Sequence, residues 1–556
     1  MMRIFNILLL LFVISVSATS QMEVNNDTLV GNEWIDYSKT YFKIKLAEDG
    51  LYKVSGAELA AAGMDIAQKS ASYLQLWHNG REEALYTSVN GVMDDESYLI
   101  FYGEKNRLAL DTFLYDNWKK DLVNTEYSLI SDTSAYFLTF ADNNVGRKRY
   151  ETVNPDYTNN TLTPEPYFMD TKVIEYHGFY FKPTYNGDDK IKLSQFVSSE
   201  GFSKGLVRKS STNIITEELY LDSPVKMDFS FRLLSNGIFE NIKHIKLNDF
   251  LIKSITTNAY ETVVDGFEIY NTSNYIKESN TLEIENAGEN DQHSPAVFYV
   301  KYPRMFNFNG YSDYLINLPS GEKYFNLNGD LHQGVDYVFD INNHKRYPIH
   351  TNTDGNAELI VNGNKTQKIF ITQSFKTVEG ISKKSFINLN NWNPTYLFIS
   401  NKKIYQSLGA ENDYLSDYLA YRNSMEGGNF DAKLLFTETI YDEFGYGIQN
   451  HLHAFKNFSY WAKQNWPLEY VNIIGKGREY FAIRTAQELA DPINASYFVP
   501  SYGNSPSDFL LFSDGAYPNS YFAIGRVAAR NMEEVGNYLS KLKVHDAAAR
   551  STAIKR

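Results

Sequence analysis

The chain has 556 residues, 43% apolar and 15% aromatic, with no cysteine and a formal net charge of −14. That length predicts about three or four domains of roughly 100–200 residues each, and the apolar share excludes a disordered chain. The missing cysteines exclude disulfides, thiolate metal sites and thiol nucleophiles, and the acidic balance argues against binding nucleic acid, which needs basic surface to displace counterions.

The N-terminus reads MMRIFNILLLLFVISVSATSQ. Arg3 supplies a positive start, Ile4 to Val16 an apolar run too short for a comfortable membrane span, and Ala18-Thr19-Ser20 the small residues of a cleavage site. Residues 1–20 are therefore expected to be a signal peptide and the protein to be exported. No later stretch approaches a transmembrane helix. Without disulfides, an exported chain depends on the size of its cores.

From about 35 to 390 the pattern is strands and turns. In YFKIKLAEDGLYKV, Phe42, Ile44 and Leu46 alternate with Lys43 and Lys45 before Asp49-Gly50, which predicts a half-buried strand and a hairpin. AELAAAGM at 57–64 is a short helix. TLEIENAG sets Leu282 and Ile284 against Glu283 and Glu285, and AVFYVKYPR at 296–304 reads as a central strand. The expected organisation is a β-rich domain over 21–200 and a β-sandwich-like domain over 201–390.

The texture changes after NLNNWNP at 388–394. Buried strands are predicted at 395–400, 433–437, 470–474 and 521–527. Helices are predicted over 411–424, with Leu415, Tyr418 and Leu419 on one face, along Ile448, Leu452, Phe455 and Ala462, and after Asn531. There Asn531 is the N-cap, Glu534 holds the capping-box position, and Met532, Val535, Leu539 and Leu542 form the stripe. YDEFGYG, 441–447, is read as a loop whose Phe444 can pack beside Ile440. Alternating strands and helices predict a mainly parallel α/β sheet over 391–556, expected to be incomplete because the last residues, HDAAARSTAIKR, lack a strand pattern. Ligands of such sheets sit beyond the carboxyl ends of the strands, here Gly475–Arg478 and the residues after Arg526.

Familiar chemistries fail one by one. Gly475-Lys476-Gly477-Arg478 is neither a phosphate loop nor, with Tyr480 at the third glycine position, a dinucleotide fingerprint. His451 and His453 stand two apart, which points them to different sides of a helix and predicts solvent-facing rings. Asp94-Asp95-Glu96 could meet calcium but reads better as a solvated turn, so the metal question stays open and no cofactor is expected. No Gly-x-Ser-x-Gly elbow occurs.

Taken in order, YLFIS, YLAYRNSMEGGNFDAKLLF, TIYDEFGYGI, WPLEYVNIIGKG, SPSDFLLFSDG and YFAIGRV…NMEEV…YLSKL resemble the gingipain-type cysteine peptidases, and among them the PorU-like sortases of the Bacteroidetes type IX secretion system. The series runs over about 390–545. YFKIKLAEDGLYKVSGAEL, LQLWHNGREE and DESYLIFYGE look like the β-rich N-terminal region of PorU-like proteins. The resemblance implies a caspase-like α/β fold and a Cys–His dyad in which imidazole helps form a thiolate. The family's histidine position matches Gly477 and its cysteine position Ala529. Neither can do that chemistry, nor can Ala528 or Arg530 replace the nucleophile. The resemblance thus implies an exported protein of the periplasm, outer membrane or cell surface that binds secretion components or cargo C-terminal domains without cutting them. Arg478 and Arg526 are candidate carboxylate contacts, with surface ion pairs as their plainer reading. A peptidase of non-cysteine mechanism and a structural β-rich surface protein are the alternatives.

Overall fold

A computed structural model describes residues 22–24, 27–183, 192–237, 239–406, 412–479, 484, 497–514 and 519–548. The expected signal peptide, 1–20, lies outside the described residues, as do the last eight positions. Among the described residues no helix is long and apolar enough to cross a membrane.

The chain is β-rich up to Ser385 and α/β beyond it, as expected. In the first unit, strands Ile381–Ser385, Thr40–Leu46, Ser134–Phe140, Leu74–His78 and Arg81–Glu83 form an antiparallel sheet in that order. A three-stranded sheet of Gly50–Ser55, Tyr98–Gly103 and Tyr86–Thr87 shares its core. Phe42, Ile44 and Leu46 point into that core as the alternation requires. The predicted hairpin is corrected: Thr40–Leu46 and Gly50–Ser55 do not pair but enter different sheets. Asp49-Gly50 is a corner, with Gly50 at φ +152°, a backbone conformation that glycine reaches without steric cost. The short helix is present at Gly56–Ala61, closed by a Ser55–Glu58 capping box.

A second unit stacks Phe168–Glu175, Gln292–Arg304, Lys226–Asn236 and Thr262–Tyr270 over Lys209–Ile215, Ser279–Asn286, Asn241–Leu247 and Phe250–Thr257. Gln292–Arg304 is interior to its sheet, and Leu282 and Ile284 face the shared core while Glu283 and Glu285 hold Lys246 outside. A third unit packs the sheet containing Asp313–Leu318 and Gln367–Thr372 against Gly321–Leu327 and Ala357–Gly363.

The α/β unit has four parallel strands in the order Ala432–Phe436, Tyr396–Ser400, Tyr470–Ile474, Ala523–Val527. The central pair is built from near-continuous apolar runs, as burial on both faces demands. Helices Tyr414–Asn423, Thr437–Phe444, Leu452–Asn465 and Met532–Ala547 accompany them. YDEFGYG differs from expectation: its first four residues belong to the helix Thr437–Phe444, buried along nearly its whole length, and Gly445 ends it. Helix Met532–Ala547 starts at Asn531, whose side chain accepts from Glu534 N–H. The Glu534 carboxylate reaches back one residue further than a capping box would, to Arg530 N–H at 2.7 Å.

The two regions meet through shared apolar packing and through charge. Lys43, on the outward face of its strand, is buried against the α/β unit and pairs with Asp442. Lys384 takes the second Asp442 oxygen at 2.6 Å.

Candidate functional site at the strand ends

Strand Tyr470–Ile474 ends on Gly475, at φ +143°, where an added Cβ would stand 2.9 Å from the Phe498 Cβ. Only glycine fits both conditions. Gly475 N–H donates to the Val527 carbonyl and Lys476 N–H to the Ala529 carbonyl, each at 2.9 Å. Those two bonds clip the loop after one strand to the loop after its neighbour. Gly477 and Ala529, far apart in sequence, thereby come to adjoining strand ends. Ala529 is buried in the α/β core. Gly477 is half-buried, and a side chain there would start 2.7 Å from Ser501 Oγ and 3.1 Å from Arg526 Nη1.

Arg526 organises this end of the sheet. Its Nε and Nη2 make a two-pronged pair with Asp508, at 2.7 and 2.6 Å. Nη1 donates to the carbonyls of Gly475 at 2.8 Å and Val499 at 3.1 Å, and Nη2 also reaches the Pro500 carbonyl at 3.0 Å. Of the two readings left open for it, Arg526 makes an ion pair, and an internal one, with the arginine side chain 12% exposed. Its planar fork suits it to tie a carboxylate and several carbonyls at once. Arg478 is half-buried two residues beyond Lys476. Sequence reasoning missed Asp508 and Ser501. The chain between Tyr480 and Tyr497 carries no pattern that would have aligned them with Arg526.

Chemically, this arrangement lacks an activated nucleophile among the described residues. Ser501 Oγ donates to Asp508 at 2.9 Å, and the same carboxylate is paired two-pronged with Arg526, with no imidazole beside the hydroxyl among the described residues. The phenol of Tyr497 is buried, its hydroxyl without a partner among the described residues and its ionisation pushed upward by burial.

The histidine expectation is overturned. His451 and His453 are both fully buried. His451 precedes the helix and caps it, its Nδ1 accepting His453 N–H at 3.2 Å while Nε2 meets Asp111 at 2.7 Å. The His453 ring stacks on Phe113 at 5.0 Å with neither nitrogen hydrogen-bonded among the described residues. Helical spacing pointed them outward; the N-terminal unit covers that outer side. Asp94-Asp95-Glu96 forms a turn in which Asp94 accepts Ser97 N–H at 2.8 Å. Among the described residues no group of three or more histidines and carboxylates is placed to hold a metal ion.

The architecture is therefore a β-rich region joined to an α/β unit with a parallel sheet and strand-end loops. Residues 390–556 match the model of Peptidase family C25. The crystal structure of dimeric latent PorU from Porphyromonas gingivalis superposes with a TM-score of 0.55 at 15% identity, over 92% of this chain and 50% of that one. The fold likeness runs through the β-rich region as well, and the chain spans half the length of that protein. The CBM36-1 domain of a xylanase from the hindgut metagenome of Trinervitermes trinervoides covers 24% of the chain and 96% of its own length at 11% identity, with a TM-score of 0.15. A family 35 carbohydrate binding module from Clostridium thermocellum gives 24%, 95%, 10% and 0.16. Likenesses so slight carry no argument. No curated protein matches the chain.

Proposed function

We propose that this chain is a PorU-like pseudoenzyme, exported to the periplasm, outer membrane or cell surface, that serves type IX secretion or surface attachment by binding. The observation that supports it is the pair of positions 477 and 529. They adjoin at two strand ends clipped by the Lys476–Ala529 hydrogen bond, where the family resemblance places a dyad, and they hold glycine and alanine. The chain has no thiol anywhere. The binding partner in this reading is a secretion component or a cargo C-terminal domain, whose carboxylates Arg478 would meet at the mouth of the loop. Arg526 contributes by holding the loop in shape.

Incubating the mature chain, residues 21–556, with a mixed peptide library and reading products by mass spectrometry should give no cleavage. Reproducible cleavage that survives thiol blockers would replace this reading with a peptidase of another mechanism. Against a cargo C-terminal domain, Arg478→Glu is expected to weaken binding about tenfold, as loss of a charge-assisted contact does. Unchanged affinity would remove the strand-end loop from the proposal.

A further inference from the structure

A cavity of about 360 Å³ opens between the first and third β units, and none of the strand-end residues line it. His78, Glu83, Tyr102 and Tyr150 line one side, Asn342 and His344 the other. Its distinguishing feature is unmet hydrogen-bonding capacity. The ring of His78, whose Nε2 is buried, makes no hydrogen bond among the described residues, and neither do the His344 ring, the Glu83 carboxyl or the hydroxyls of Tyr102 and Tyr150. A buried polar atom normally finds a partner; His78 Nε2 is one without any among the described residues, and the four other unpartnered polar groups line the same cavity, so together they mark a place that a ligand or ordered water completes.

The charge state narrows the ligand. Burial pushes the His78 ring down to about 4, so it is neutral at pH 7. Burial also pushes the Glu83 carboxyl up to about 7. Glu104, which also lines the cavity, has its charge met by Lys368 at 2.6 Å. Lys365 stands exposed at the rim. A neutral imidazole, a phenol and a carboxamide each offer both donor and acceptor. Their natural complement is the hydroxyl group, which donates and accepts through one atom. The volume lies at the small end of ligand pockets, which run about 300–1,000 Å³.

We propose that this cavity is a binding site for a small neutral polyhydroxylated molecule of monosaccharide size. The test is titration calorimetry of residues 21–556 at pH 7 with glucose, galactose, mannose and glycerol at millimolar concentration, beside glycine and inorganic phosphate as charged probes. At least one neutral probe is expected to bind once per chain. Tyr150→Phe, which keeps the ring and removes one hydroxyl, should weaken it about tenfold without moving the melting temperature. If that variant fails to fold, Glu83→Gln supplies the same reading. No heat from any of the four neutral probes, tighter binding of glycine or phosphate, or affinity indifferent to the variants would each overturn the proposal and leave the cavity to ordered water. Peptide cleavage and cargo binding are separate readouts, so this proposal and the pseudoenzyme reading fail independently.

Discussion

At the scale of single residues, Arg526 and His453 show how burial sets the stakes of one side chain. Arg526 ties Asp508 to the carbonyls of Gly475, Val499 and Pro500. Removing it strands a carboxylate in a largely covered site. Arg526→Met is expected to cost about 2–3 kcal/mol, and Asp508→Asn in the same chain should recover part of it. Urea unfolding of the two variants checks this, and an Arg526→Met chain as stable as the parent would show that the fork holds nothing. His453 works through pH. Burial, with His451 and Lys456 nearby, holds its ring well below the free value of 6.5. A folded value below the unfolded one means that this contribution is intact above pH 6.5 and is lost as pH falls beneath it, at up to about 1.4 kcal/mol per pH unit. His453→Phe should therefore flatten the fall in stability between pH 6.5 and 5, followed by melting at each pH. An unchanged slope would remove His453 as its source.

At the scale of elements, the parallel sheet was legible because its strands are nearly pure apolar runs and its helices keep a 3.6-residue stripe. Met532, Val535 and Leu539 are buried as that stripe required. The cap was legible too. Asn531→Ala should cost about 1 kcal/mol, read from thermal unfolding, and no cost would mean that the Arg530–Glu534 contact carries the helix start alone. The place of Gly475 at the end of an apolar strand is legible locally, but its second constraint, the approach of Phe498, is a contact with a segment more than twenty residues on. The corner at Asp49-Gly50 was misread for a related reason. A two-residue turn looks the same locally whether its flanking strands pair with each other or with strands far along the chain. The helix at 437–444 was half-hidden because Gly445 and Gly447 mark a loop, and nothing local says how closely a buried helix runs up to them.

At the scale of the whole molecule, the join between the β-rich and α/β regions sets a buried charge cluster beside shared apolar packing, with Leu114, Ile130 and Phe196 in the α/β core and Tyr446 and Ile448 packed among Trp34 and Phe137. Asp442 is shared by Lys43 and Lys384. Asp442→Ala would leave two amines facing a covered surface without a counter-charge, at about 3–5 kcal/mol. The expected result is a lower first transition in calorimetry, with the two regions beginning to unfold separately. A single transition at the parent temperature would show that apolar contacts alone secure the join.

The sequence by itself determined the β-rich character of the first part, the parallel α/β unit of the second, and the chemical fact that no thiol can act. These follow from periodicity and composition, which are local or additive properties. The tertiary structure alone decided which surfaces are inside. It buried His451, His453 and Lys43, turned Arg526 inward to Asp508, and opened a polar cavity between two β units. Each outcome depends on which distant segment covers a given face, and a side chain's exposure, ionisation and partners follow from that cover rather than from its neighbours in the chain.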